Sequence, residues 1–208
     1  HAVRAGLRYV LATPVLWISF AMLALIGTLS YNFSVTLPIF VTRVLHGTER
    51  TYTTLYAVFS VGAVACSLIV AHRGLVRLSH LVFGAVALGV AMLLLAATSS
   101  VWLAMAVAFP VGMASIQYMT ATTTIVQVES RQEMHGRVLA LQTVLIGGPM
   151  AVGGPFLGWL ADAFGGRAPL ILGGVAALAA AGVGYAVSRH TEEHIVSTAV
   201  PAPDSDLA

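Results

Sequence analysis

Charge in this chain is confined to short clusters, and the stretches between them are long, apolar and free of Arg, Lys, Asp and Glu. These blocks run from Tyr9 to Thr42, Thr51 to His72, Leu78 to Val128, Val138 to Ala161 and Ala168 to Ser188. A helix crossing the hydrocarbon of a bilayer needs about 20 apolar residues, so each block is long enough to cross. As one helix the third would reach about 75 Å, and the polar triplet Thr98-Ser99-Ser100 divides it in two. The chain therefore reads as an all-α membrane protein with six transmembrane helices. A 58% hydrophobic and 9% charged composition falls far from the roughly 25% charged residues of soluble domains, and no nucleic-acid partner is expected.

Alternate connections lie on the same side of a bilayer, and the cytoplasmic side carries the excess of Arg and Lys. All ten basic residues are Arg. Arg4, Arg8, Arg73, Arg77, Arg131, Arg137 and Arg189 fall on one side, and Arg43, Arg50 and Arg167 on the other. Both termini are thus expected in the cytoplasm. The organisation expected is a cytoplasmic or interfacial lead-in helix over residues 1–13, a six-span domain over 14–189, and a disordered cytoplasmic tail over 190–208. The spans are placed near 15–41, 52–71, 79–97, 101–127, 138–160 and 168–187. No short apolar stretch follows a basic start and ends in an Ala-x-Ala site, so a cleaved leader is not expected. Arg without Lys, together with abundant Ala, Val and Gly, suggests a GC-rich bacterial genome and the plasma membrane.

Polar side chains are shared unequally among the spans. Leu81 to Ala97 and Pro169 to Gly184 hold no hydroxyl, amide or imidazole, as expected of peripheral helices facing lipid. The first, second, fourth and fifth spans carry polar groups and read as interior. The order polar, polar, apolar, repeated once, is that of two three-helix units with inverted topology.

In the fourth span Gln117, Thr120, Thr124 and Gln127 fall within about 80° of one helix face. Polar groups at membrane depth are costly unless they meet water, solute or another helix. Two readings stay open: a cavity wall that hydrogen-bonds a solute, or glue between helices, where such bonds contribute about 0.6 to 2 kcal/mol. Asn32 in the first span, with Pro38 weakening the helix beyond it, and Gln142 in the fifth are further candidates for the cavity. Gly148-Pro149 and Gly154-Pro155 punctuate the fifth span and suit either a flexing gate helix with a kink or two or close helix packing. Cys66 is the lone cysteine, which excludes an internal disulfide and suits a small packing residue. His190-Thr191-Glu192-Glu193-His194 has the H-x-x-E-H spacing of some zinc peptidases, but it sits where the last span leaves the membrane, with no third ligand nearby. No metal, cofactor or enzymatic activity is expected.

The segment Val126-Gln127-Val128-Glu129-Ser130-Arg131-Gln132-Glu133-Met134-His135-Gly136-Arg137-Val138 resembles the connection between the tenth and eleventh helices of the major facilitator superfamily, in its drug and siderophore exporter-like branch. Arg131 and His135 stand where Pro and Arg are more usual. The run from Gly148-Pro149 through Gly154-Pro155 to Arg167 is similar to that family's eleventh helix, and Arg73-Gly74-Leu75-Val76-Arg77 to its basic loop between helices eight and nine. The resemblance covers about Ala2 to Arg189. It implies that the chain is the C-terminal six-helix half of a transporter that works by alternating access, usually driven by proton exchange. Asn32, Gln117, Thr120, Thr124 and Gln142 would wall the solute cavity, Gly148, Pro149, Gly154 and Pro155 would form the gate, and Arg73, Arg77, Gly136 and Arg137 the cytoplasmic loop motif. The implied partners are a small-molecule solute, the lipid bilayer, and an N-terminal six-helix half or a second copy.

Two other classes compete. An intramembrane hydrolase needs a nucleophile with a base, or paired carboxylates, at depth, and the spans offer no His, Asp, Glu or Lys there. A non-transporting membrane interaction module or truncated half-transporter is the remaining alternative.

Overall fold

The computed structural model describes residues 2–71 and 78–199, which are helical with short connections and no strand. The helices are α1 (Ala2–Ala12), α2 (Pro14–Leu29), α3 (Phe33–Arg43), α4 (Glu49–Ala71), α5 (Leu78–Ala97), α6 (Val101–Glu129), α7 (His135–Phe164) and α8 (Ala168–Ala199). Six segments are long and apolar enough to cross a membrane: Pro14–Arg43, Glu49–Ala71, Ser79–Ala97, Val101–Glu129, His135–Phe164 and Ala168–Ala186. The six-span, all-α reading is what the structure shows. Arg73 and Arg77 lie outside the described residues.

Helix α1 leads into the first span and is held at two points. Val10 packs with Leu16, Phe20, Val126 and Val138. The Tyr9 hydroxyl donates to the Glu129 carbonyl at 3.4 Å and accepts the Arg131 backbone N–H at 3.2 Å. The lead-in helix therefore rests on the connection between α6 and α7.

The first span, placed near 15–41 from the sequence, covers Pro14–Arg43 and is interrupted. It breaks at Ser30 to Asn32, separating α2 from α3, while Pro38 sits inside α3. The break lies ahead of Pro38, not beyond Asn32 as the sequence suggested; within α3 the missing N–H of Pro38 leaves only the bond to the Ser34 carbonyl unmade, and the helix continues through it. Helix α8 runs on to Ala199, through part of the segment expected to be a disordered tail. Residues 188–199 contain no Gly or Pro to stop a helix, and Pro201 is the first. Residues 200–208 lie outside the described ones.

The pairing of spans is symmetric. Helix α4 packs along α6 as α2 packs along α7; α5 packs on α6 as α8 packs on α2; and α5 and α8 pack on each other. Exchanging the first, second and third spans for the fourth, fifth and sixth leaves this set unchanged, the pattern of two inverted three-helix units.

The apolar helices are not the most exposed ones in this bundle. In their most hydrophobic stretches α5 and α8 are 50% buried, against 17% for α4 and 25% for α7. The Ala and Gly of α5 and α8 let the two helices nest on each other, whereas α4 and α7 each leave most of their surface uncovered.

Close backbone approach sets the α4–α6 crossing. A Cβ built on Gly62 would overlap the Phe109 carbonyl, and one built on Gly112 would overlap the Phe59 carbonyl. The contact is reciprocal, each glycine receiving the carbonyl three residues before the other. Only a missing side chain on both helices permits it.

Gly62→Ala is expected to separate the two helices and to lower stability by about 1–3 kcal/mol. Gly158→Ala on α7, where a Cβ meets nothing within 4 Å, is expected to be neutral or to stabilise by about 0.5–1 kcal/mol. Thermal unfolding of the purified protein in detergent compares the two.

Candidate solute-facing site

Of the polar residues singled out from sequence, the structure separates those consumed by the fold from those left open. Asn32 is 3% exposed and caps the break in the first span. Its carbonyl accepts the N–H groups of Val35 at 3.0 Å and Thr36 at 2.9 Å. Its Nδ2 donates to the Thr28 carbonyl at 2.9 Å, the acceptor that the backbone N–H of residue 32 would meet in an unbroken α-helix. The side chain thus replaces the lost backbone bond. Ser30 Oγ donates to the Gly173 carbonyl at 2.8 Å, tying the break to α8. Tyr31 donates to the Ser115 carbonyl, tying it to α6. On the remaining side Gly153 of α7 comes so close that a Cβ there would overlap the Thr28 carbonyl, while Gly154 meets Asn32 Oδ1 at ordinary contact distance. Asn32 therefore holds the wall together, with both ends of its amide at protein atoms.

Gln142 is also 3% exposed. Its Nε2 donates to Thr123 Oγ1 at 3.2 Å, a bond that joins α7 to α6. Thr123 was absent from the stripe traced on the sequence because it lies about 60° from Thr120 at 100° per residue.

Gln117, Thr120 and Thr124 are half-buried, and Gln127 is exposed. Gln117 Oε1 accepts from Cys66 Sγ at 3.7 Å, which places α4 beside that position. Helix α6 is therefore approached by α7 at Thr123 and by α4 at Gln117. Thr120 and Thr124 fall between those two contacts around the helix. They lie on a half-covered strip flanked by the two least buried helices, and α3 touches both of these farther along. Thr28, Ser60, Ser67, Ser115, Thr122 and Thr143 all turn their hydroxyls back to the carbonyl four residues earlier. That arrangement satisfies each donor within its own helix.

The glycine and proline residues of α7 do not interrupt it, since His135–Phe164 is one continuous helix. Gly147 and Gly148 are exposed, with nothing near the position of a Cβ, and Pro155 is exposed as well. Gly136 likewise faces open space. Arg137 donates to Met134 Sδ at 3.5 Å, and its Cβ is close to Gly6 of α1.

At the end of the bundle opposite α1, two Arg side chains tie helix ends together. Arg43 forms an ion pair with Asp162 at 2.7 Å and donates to the Ala161 carbonyl at 3.1 Å, clamping the end of α3 to the end of α7. Arg167 donates to the Thr98 carbonyl at 3.2 Å and to Ser99 Oγ at 2.8 Å, joining the connection before α8 to that between α5 and α6. The side-count that put Arg43 and Arg167 on one face was the only signal for these links. Because both partners of the pair are largely exposed, its contribution to stability is small. Among the described residues no group of three or more His, Cys, Asp or Glu is placed to hold a metal ion.

Taken together, the six apolar spans and their paired packing define a multi-pass membrane protein. A family model described as transmembrane secretion effector matches residues 1–208, and the chain belongs to that family, within the major facilitator superfamily. Membership points to a role in transport or secretion across a membrane, with a small-molecule solute and the bilayer as partners, rather than to an enzyme. No curated protein shows significant similarity to the chain.

Asn32→Ala is expected to leave the Thr28 carbonyl unpaired and to cost about 1–3 kcal/mol. Asn32→Asp, which turns a carboxylate toward that carbonyl, is expected to cost more. The unfolding midpoints of the two variants, compared with the parent, check the order.

Proposed function

We propose that this chain is the C-terminal-type six-helix half of a secondary active transporter that exports amphipathic small molecules, such as drugs or siderophores, by alternating access. The observation that carries the proposal is the half-covered strip of α6 bearing Thr120 and Thr124 between α4 and α7. Two hydroxyls at membrane depth suit a hydrated path, and two long apolar helices with little burial suit a surface closed by a second six-helix body. That body is an N-terminal half or a second copy.

No Asp, Glu, Lys or His stands in the middle of a described span, so a group that takes up and releases protons belongs to the opposing half. On this reading Asn32 and Gln142 shape the cavity wall, whereas Thr120 and Thr124 meet the solute. Gly147 and Gly148, whose Cβ positions face no described residue of another helix, give α7 room to move against the opposing half. Seven Arg against three supports cytoplasmic termini, and the composition supports a bacterial inner membrane.

Thr120→Val with Thr124→Val removes two hydrogen bonds of about 1 kcal/mol each, which corresponds to roughly a thirtyfold loss of export. The amount of folded protein should be unchanged, since neither hydroxyl bonds a described residue. Export from vesicles containing the complete two-half assembly, with and without a proton ionophore, measures the effect. Unaltered export by the double variant would remove the strip from the solute path.

A further inference from the structure

Gln117 does not share the strip of Thr120 and Thr124. Its side chain enters a separate cavity of about 350 Å³ on the flank of α6, in the gap between α4 and α5. Helices α4 and α5 each pack along α6, and the space left between them is floored by α6 itself. The cavity is lined by Cys66 of α4, by Phe83, Ala87 and Ala91 of α5, and by Met113 and Gln117 of α6 among others. Small alanines make the space, and Phe83, 65% exposed, stands at its rim. No residue of α7 is among its described lining residues.

The chemistry of the lining narrows the occupant. Among the described residues no charged side chain lines the cavity, and a charged occupant would meet no counter-charge from them, which is costly at membrane depth. The polar groups are the Gln117 amide and the Cys66 thiol. Gln117 Oε1 accepts from the thiol at 3.7 Å, and Gln117 Nε2 has no hydrogen-bond partner among the described residues. A primary amide in such a setting presents its N–H donors to whatever fills the space. Small-molecule sites span about 300–1,000 Å³ and combine an apolar lining with a few placed polar groups; this cavity lies at the lower end of that range.

We infer that the α4–α5–α6 cavity is a binding site, entered from the bilayer, for a small uncharged apolar molecule carrying one hydrogen-bond acceptor that meets Gln117 Nε2. Phospholipid acyl chains lack such an acceptor along their length and leave the amide unpaired. The site does not depend on the opposing half or on the export activity proposed above.

Benzophenone is uncharged, carries one carbonyl and inserts into nearby C–H bonds when irradiated. It is therefore both ligand and reporter. The chain in lipid nanodiscs is irradiated with increasing benzophenone, and adducts are mapped by peptide mass spectrometry. Met22 is the internal reference, because it lines an apolar groove between α2 and α8. Labelling at Met113 is expected to saturate, and to exceed labelling at Met22 by about fivefold, the factor one hydrogen bond of about 1 kcal/mol supplies. Phenyl benzoate, which has an acceptor, is expected to compete about fivefold better than diphenylmethane, which has none. Gln117→Leu should raise the half-saturating concentration by a similar factor. Labelling that never saturates, or equal competition by the two compounds, overturns the proposal. The competition is run on the unmodified chain, so it decides the matter even where the Leu variant does not fold.

Discussion

The bundle depends on the places where glycine lets one helix backbone rest on the next, and two of these contacts, α4 on α6 and α7 on α2, frame the site. In a bilayer the hydrophobic effect does not drive helices together, since lipid is as apolar as their side chains, and association rests on close packing and hydrogen bonds. Gly62 and Gly112 supply the packing between α4 and α6, each receiving a carbonyl from the opposite helix. Gly153 does the same between α7 and the break in the first span. These contacts occupy equivalent places in the two inverted units, α4 with α6 and α2 with α7. Every other feature of the site is positioned by them, because α4 and α7 set the edges of the strip on α6.

The break in the first span shows how such a protein tolerates irregular backbone at membrane depth. Unpaired peptide groups there are expensive, and several near Ser30 to Asn32 are answered locally. The Asn32 amide takes the Thr28 carbonyl, the Asn32 carbonyl serves the new helix start, and Ser30 and Tyr31 tie the turn to α8 and α6. A buried polar cluster of this kind is rigid because none of its bonds can be exchanged for water. Asn32 is thus framework, though its letter and depth alone read equally well as a solute contact.

Helix α6 presents two polar surfaces with different surroundings. Thr120 and Thr124 lie between α4 and α7, and Gln117 lies beyond α4 in the cavity shared with α5. On a helical wheel they are one stripe, about 60° wide for these three residues. The path of α4 across α6 divides it. That crossing is the reason one run of polar letters serves two places.

The number of spans, the inverted order of polar and apolar helices and the alternation of Arg between the two sides were all legible in the sequence. Each follows from local composition judged against the thickness and polarity of a bilayer. The family resemblance carried by residues 126–138 and 148–167 was legible on the same terms. What tertiary structure alone decided was the use of each polar group: Asn32 as a cap, Gln142 as a bond to Thr123, Gln117 in a flank cavity, Thr120 and Thr124 on the half-covered strip. The physical reason is that a side chain's periodicity gives its angle on its own helix, whereas its partner depends on where the neighbouring helices cross. Those crossings are set by close contacts between residues far apart in the chain, such as Gly62 with Phe109 and Gly153 with Thr28.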